Sequence, residues 1–266
     1  YTAPSGYKAL CTTNLPTPAI GATSTTRADD YFNPVLWTGT GATQNITGVG
    51  FEADFIWMKD RSTAGRNHYL FDRLRGITNA RLCSNVTNAE NTSTTYINST
   101  NSDGYQLAAG DAGSNGSGET YVGWNWKANG AGVSNTQGTI TSTVSANTTS
   151  GFSIVTYTAT GAAGTVGHGL GVAPKMVILK RRNSSGSWLV YHASAGTDKY
   201  LVLNDTAAAV TDTAIWQNTA PSSSVIYLGA GAGVNGDSML TYCFAPVAGY
   251  SAFGSYTGNG SADGPF

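Results

Sequence analysis

The sequence is poor in charged residues. Asp, Glu, Lys and Arg account for 11% of its 266 residues, whereas a typical soluble domain has about 25%. The formal net charge is −1, and the Lys and Arg residues are scattered along the chain. Because proteins that bind nucleic acid concentrate Lys and Arg on one face, we expect no nucleic-acid partner.

The sequence also lacks the cysteine and histidine spacings that are typical of metal and redox sites. Its three cysteines, Cys11, Cys83 and Cys243, lie far apart, and no C-x-x-C pair occurs. The histidines show neither H-x-H nor H-x-x-x-H spacing. We therefore expect no metal, no cofactor and no disulfide framework, and we expect Cys243, which lies in an alternating run, to be a buried thiol.

Long apolar runs and catalytic signatures are missing too. No stretch is apolar over the roughly 20 residues that a membrane-spanning helix needs, so we expect no membrane insertion. No G-x-S-x-G motif occurs, and only Asp29 and Asp30 are adjacent acidic residues. The G-x-G-x-x-G run at 231–236 leads into a strand instead of the helix that a dinucleotide site requires, which indicates a hairpin turn. The sequence therefore predicts a protein that is not an enzyme.

Glycine, serine, threonine and asparagine take the place of the missing charges, with 34 glycines alone. These residues favour turns and extended strands, and no segment has the 3.6-residue apolar period of a helix. Alternating runs recur instead. Those at 139–144 and 152–157 flank a short polar stretch and predict a β-hairpin. The fold class is therefore predicted to be all-β.

Three apolar blocks occur twice, about 120 residues apart. The pairs are Val35–Gly41 with Ile154–Gly161, Gly50–Lys59 with Gly171–Lys180, and Thr120–Trp126 with Ser238–Phe244. The run Ser255–Gly260 matches the opening of the second copy once more. The chain is thus predicted to hold two tandem β-sandwich modules of one jelly-roll-like design, with the same strand order, and the start of a third.

The predicted boundaries follow from these repeats. They are a connector at 1–33, a first module at 34–130, a second at 131–248 and the start of a third repeat at 249–266. Residues 129–137, which are rich in Gly and Asn, are expected to link the modules. Modules in series favour an extended surface protein over a compact enzyme with one cleft.

Aromatic residues are the remaining chemical resource, with six Trp, fourteen Tyr and eight Phe. Exposed aromatic rings can stack on the C–H faces of sugars. Trp188, Tyr191 and Trp216 follow the strand pattern less clearly than other aromatics, so they are the candidate glycan-binding residues and are expected on a rim. The alternative for each is a place in the core, as for Trp57, whose repeat counterpart is Ile178.

Four stretches carry a resemblance to a known family. They are Gly6–Pro18, which reads GYKALCTTNLPTP, Ile46–Phe51, Gly169–Met176 and Val247–Ser261. In these the chain resembles repeat-containing virion proteins of marine tailed bacteriophages, a group of tail-fibre and structural proteins often preceded by a lectin-like sandwich domain. Cys11 departs from the asparagine that is usual there. The resemblance implies a virion component and supplies no catalytic residues.

The leading hypothesis is a structural and adhesive protein at the virion surface, a tail fibre or similar host-facing appendage. Its expected partners are copies of itself, other virion proteins and a host-surface glycan. The resemblance to phage fibres implies a trimer. A glycan depolymerase is the first alternative, and two carboxylates facing each other across a groove would favour it. A capsid or tail decoration protein without a ligand is the second.

Overall fold

The computed structural model describes residues 18–21, 26–92 and 94–262. Cys11 and a short strand expected at 7–10 lie outside these residues. The described chain folds into 18 strands with one α-helix, α1 (Thr213–Trp216). The all-β prediction, with sandwiched antiparallel sheets, is confirmed.

The strands fall into two halves along the chain. The first half contains β1 (Phe32–Thr38), β2 (Gln44–Ile46), β3 (Phe55–Asp60), β4 (Tyr69–Asp72), β5 (Leu82–Cys83), β6 (Ile97–Asn101), β7 (Gly104–Leu107) and β8 (Thr120–Trp126). The second half contains β9 (Val133–Asn135), β10 (Ser142–Asn147), β11 (Phe152–Thr158), β12 (Gly164–Gly167), β13 (Met176–Arg181), β14 (Leu189–His192), β15 (Lys199–Val202), β16 (Val210–Thr211), β17 (Val225–Leu228) and β18 (Ser238–Phe244).

Each half is a sandwich of one large and one small sheet. In the first half the large sheet has the order β1-β8-β3-β4-β5, and the small sheet β2-β7-β6 packs on one of its faces. In the second half the large sheet has the order β16-β15-β14-β13-β18-β11-β10-β9, and the small sheet is β12-β17. Burial of apolar side chains between these sheets gives each half a core of its own.

The strand order of the first large sheet recurs inside the second. The run β1-β8-β3-β4-β5 corresponds to β11-β18-β13-β14-β15. The register is the same as well, because Phe55 pairs with Trp126 and Asp72, and Met176 pairs with Phe244 and His192. A slip of one residue in either half would turn every buried side chain of a strand outward, so equal registers place the same repeat positions on the same faces.

The two large sheets pack against each other through a third core. Equivalent positions of both halves contribute to it, among them Leu70 with Val190 and Leu82 with Leu201. Phe55 lies at its centre, with its ring centroid 4.3 Å from that of Tyr242. The expectation of modules in an extended series is therefore wrong for these two halves, because each large sheet has a second apolar face that the other half covers.

A buried ionic cluster crosses this shared core. Arg75 and Asp72 have side chains with 0% exposure, and the Arg75 Nε lies 2.5 Å from Asp72 Oδ2. The Tyr242 hydroxyl of the second half donates to the same Oδ2 over 2.7 Å. Glu90 accepts from Arg75 and from Arg182 of the second half, both over 2.8 Å. Buried charges need such partners, so the cluster fixes how the halves face each other.

The glycine-rich link between the halves is ordered. Residues 133–135 form β9, which pairs with β10 at the edge of the second large sheet. The Asn129 N–H donates to Ser145 Oγ over 2.9 Å, and the Ala128 N–H donates to Asp54 Oδ2 over 2.8 Å. The link is therefore tied to both halves. The expected hairpin of 139–157 is confirmed by the pairing of β10 with β11.

The start of the expected third repeat lies partly against the first two. Tyr250 and Phe253 line an apolar groove of about 290 Å³ with Phe32, Phe152 and Phe244. We call this the aromatic groove. Beyond it the chain leaves the body, and Tyr256 is 82% exposed. The segment 252–262 has no strand pairing in the part that is described.

Lys180 is buried at the contact between the halves, with 0% exposure. Its Nζ donates to the Thr87 carbonyl over 2.8 Å and to the Gly186 carbonyl over 2.5 Å, and it lies 5.8 Å from the Trp188 ring centroid. Among the described residues no carboxylate forms a salt bridge with Lys180. Desolvation, aided by the nearby charge of Arg181, lowers the pKa of Lys180 from 10.5 to about 8.

Stability should therefore rise between about pH 8 and 10.5. In that range the unfolded chain binds a proton at Lys180 that the folded chain has released, so raising the pH favours the folded state. Between pH 7 and 9.5 we expect the free energy of unfolding of the wild type to rise by about 2 kcal/mol more than that of Lys180→Met. Urea denaturation at the two pH values measures this difference. A parallel pH dependence of the two proteins would contradict this assignment. The tyrosines with raised pKa values lower stability only above about pH 10, and they do so in both proteins.

Candidate binding site

A cavity of about 330 Å³ opens at one end of the second half. It lies at the start of β18, whereas the aromatic groove lies at the end of the same strand. Its floor is aliphatic and is made by Leu179, Leu189 and Met239, which also belong to the core of this half. We call it the second-half cavity.

The wall opposite the strands is the glycine-rich segment 230–234. A 3-10 helix spans Ala230–Ala232, and the chain then turns toward β18. The segment joins β17 of the small sheet to β18 of the large sheet, which do not pair. The hairpin turn expected here is therefore wrong, because the connection crosses from one layer of the sandwich to the other.

The rim of the cavity carries one charged side chain, Arg181, whose acidic partner lies behind the lining. Arg181 follows Leu179 and Lys180 on β13 and keeps 31% of its side chain exposed. Its Nη1 lies 3.4 Å from Asp237 Oδ2, and its Nη2 donates to the Ser185 carbonyl. Asp237 also accepts from the Val234 N–H over 2.8 Å, which holds the segment 230–234 over the floor. Ser187 adds a hydroxyl-bearing side chain to the lining.

Tyrosines occupy the equivalent place in the first half. Met239 pairs with Arg181 in the second half, and Tyr121 pairs with Asp60 at the equivalent position of the first half. By the same register, Leu189 is equivalent to Tyr69. Both tyrosines are buried. The Tyr121 hydroxyl lies 2.7 Å from both the Ala112 carbonyl and Glu119 Oε2, either of which can accept its proton, and it accepts from the Gly116 N–H over 2.8 Å. Smaller side chains at these two positions open the space in the second half.

At the next pair of equivalent positions, the second half has an ion pair and the first half has two acidic residues. Where the second half has Arg181 and Asp237, the first half has Asp60 and Glu119, with Arg66 between them. Arg66 Nε lies 3.8 Å from Asp60 Oδ2, and Arg66 Nη2 lies 3.5 Å from Glu119 Oε1. This is one of the carboxylate pairs that share an arginine in the described structure, as Asp72 and Glu90 share Arg75, and no motif predicted it.

Both carboxylates are held in the ionised form. At Asp60 desolvation raises the pKa, but hydrogen bonds from the backbone of Thr63 and Ser62 outweigh it, and the pKa is lowered. At Glu119 hydrogen bonds from the hydroxyls of Tyr121 and Thr63 lower the pKa. Glycoside hydrolysis needs one carboxyl that stays protonated at neutral pH. This pair supplies no such acid.

The three predicted glycan-binding residues are buried and do not converge. Trp188 has 0% exposure and lies in the core between the halves, where its Nε1–H donates to the Cys83 carbonyl over 2.9 Å. Tyr191 and Trp216 lie in the core of the second half, with ring centroids 5.9 Å apart. The expected rim position is wrong for all three, because a sugar cannot stack on a ring that is already covered on both faces. The second-half cavity was not predicted, and its only signal was the exchange of tyrosine for leucine and methionine between the repeats.

Among the described residues no group of three or more His, Cys, Asp or Glu side chains is arranged to hold a metal ion. Within that same part of the chain, no helix has the length and apolar character needed to cross a membrane.

Comparison with known proteins gave one match. Neither the curated proteins nor the solved structures that were searched contained a match to this chain. A family model described as "Domain of unknown function (DUF7483)" matches residues 27–266, which include both halves and both cavities. The chain therefore belongs to the DUF7483 family.

Proposed function

We propose that this protein is a structural component of a tailed bacteriophage particle, a tail fibre or another host-facing appendage, that contributes to attachment to the host surface. The resemblance of four sequence stretches to phage virion proteins supports the location. The second-half cavity carries the attachment part of the proposal, because it joins an aliphatic floor to a rim with donors and acceptors. Such a combination is typical of small-ligand sites.

The architecture supports a structural role. We propose that the halves are two tandem modules of one design, since their strand order and register agree. Their shared core and the cluster around Arg75 join them into one body. With 11% charged residues and a net charge of −1, many copies could stand side by side without strong repulsion.

Self-association in a homo-oligomer such as a trimer belongs to the same proposal. The β1 edge of the first large sheet is not suited to strand pairing between copies. Among the described strands, β1 is one of the two outer strands of the first large sheet, the other being β5, and β1 contains Pro34. Proline has no N–H to donate to an added strand and is typical of protected edges. The proposed contacts between copies, and with other virion proteins, would therefore use faces or loops instead of this edge.

A depolymerase is the second candidate, because Asp60 and Glu119 lie close to a shared arginine. Their lowered pKa values and the position of Arg66 between them weigh against it. No feature of the described structure favours a decoration protein over an appendage protein.

The experiment is to locate the protein on virions whose genome encodes it. Gold-labelled antibodies raised against the purified chain should decorate the tail tip or fibres in electron micrographs. Purified protein in excess should also reduce adsorption of these virions to host cells, whereas serum albumin at the same concentration should not. Label over the capsid or tail shaft without competition would favour a decoration protein. Absence of label from intact and disrupted virions would overturn the proposal.

A further inference from the structure

We propose that the second-half cavity binds one neutral, hydroxyl-rich sugar ring, and that the matching place in the first half cannot. This inference rests on the proposed attachment function and names the ligand class of its site. It is carried by the size of the cavity, the balance of charge at its rim and the comparison of the two halves.

The size of the cavity suits a small ligand. Its volume of about 330 Å³ lies at the low end of the range of about 300–1,000 Å³ that ligand pockets occupy. Leu189, which is half-buried, and the exposed Val234 offer apolar surface to the C–H face of a ring, and the buried side chains of Leu179 and Met239 close the bottom of the cavity. A longer segment of glycan would have to continue outward past Arg181 and Val234, which is 62% exposed.

The charge at the rim favours a neutral ligand over an acidic one. Arg181 has five N–H donors, of which its contacts with Asp237 and Ser185 use only part. Asp237 is an acceptor 3.4 Å from the guanidinium. Asp237 does not line the cavity, but at this distance it offsets the charge of Arg181. The hydroxyl groups of a sugar can accept from the remaining Arg181 donors and can form hydrogen bonds with the Ser187 hydroxyl, which lines the cavity. A carboxylate on the ligand would gain from Arg181 but would be repelled by Asp237.

The first half provides the matched comparison. In the first half, Tyr69 and Tyr121 occupy the positions that Leu189 and Met239 occupy in the second half. Asp60, Arg66 and Glu119 lie at the place that corresponds to the rim. These tyrosines are compatible with the same sheet geometry, because they occupy equivalent register positions. Their transfer to the second half should therefore fill the cavity without changing the fold.

The test uses saturation-transfer NMR with the whole chain. The probes are the methyl α-glycosides of D-glucose, D-galactose and D-mannose, with D-glucuronic acid as the acidic comparison. We expect transfer to the ring protons of at least one neutral glycoside. The double variant Leu189→Tyr/Met239→Tyr should abolish it, whereas Phe253→Ala, in the aromatic groove, should leave it unchanged. Arg181→Gln keeps the cavity open and should weaken binding at least tenfold.

Each result has a defined consequence. Transfer that survives in Leu189→Tyr/Met239→Tyr, with circular dichroism showing the wild-type fold, would overturn the site. If that variant does not fold, wild-type affinity in Arg181→Gln would overturn it instead. Binding of glucuronic acid alone would overturn the neutral ligand class, and no binding by any probe would overturn the inference. Virion labelling and adsorption competition are independent of these probes, so failure here leaves the proposed function to be judged on its own experiment.

Discussion

Replacement of Arg75 by Leu is expected to lower the free energy of unfolding by about 3–5 kcal/mol. The guanidinium has 0% exposure and contacts Asp72, Glu90 and the carbonyl of Leu70. Leucine cannot replace these contacts, and Asp72 would keep the hydrogen bond from the Tyr242 hydroxyl but would have no cation beside it in the core between the halves. Urea denaturation followed by circular dichroism measures the loss.

The control for this variant is Arg27→Leu. Arg27 also forms an ion pair, with Asp29, but its side chain is 63% exposed and water screens the pair. Exposed pairs contribute little to stability, so the control should unfold at nearly the same urea concentration as wild type. Equal losses in the two variants would show that the buried cluster does not fix the contact between the halves.

Replacement of Trp188 by Ala is expected to lower the free energy of unfolding by about 3–5 kcal/mol, the usual result of emptying a large core position. The ring fills the core between the two large sheets, and its N–H is the partner of the Cys83 carbonyl. The loss should appear in thermal and urea denaturation. Trp188→Phe should recover most of the packing but not the hydrogen bond.

Tyr256→Ala is the matched control, since this aromatic ring is 82% exposed. An exposed position of this kind should change stability by no more than about 0.5 kcal/mol. If Trp188→Ala were as stable as this control and instead lost sugar binding, Trp188 would be a surface residue after all, as the sequence pattern had suggested.

The strands were more predictable than the direction of their side chains. The repeated blocks at Thr120–Trp126 and Ser238–Phe244 coincide with β8 and β18. The pattern around Trp188 was ambiguous for a physical reason. Strand β14 and its approach lie between two cores, so Trp188 and Val190 face one core while Tyr191 faces the other. A strand buried on both faces reads as a continuous apolar run and does not reveal which residues a ligand could reach.

The contact between the halves was beyond the reach of sequence patterns. Asp72 and Tyr242 are 170 residues apart, and neither lies in a motif that points to the other. The sequence contained a weak indication of the second-half cavity, because Leu189 and Met239 occupy the repeat positions at which the first half has tyrosines. Whether that exchange leaves a cavity depends on the segment 230–234, which crosses above the floor. No apolar periodicity in the sequence predicts the path of this segment.

The pairing of the first and last described segments has a mechanical consequence. The Ala19 N–H donates to the Ala248 carbonyl over 2.8 Å, and Phe32 and Phe244, where the chain enters and leaves the two large sheets, line the same groove. Tension applied through residues 19 and 248 would therefore act first on this hydrogen bond, before it reached β1 and β18. The first event under load would be the separation of residue 19 from residue 248, and the strand pairs of the two large sheets would be loaded only after it.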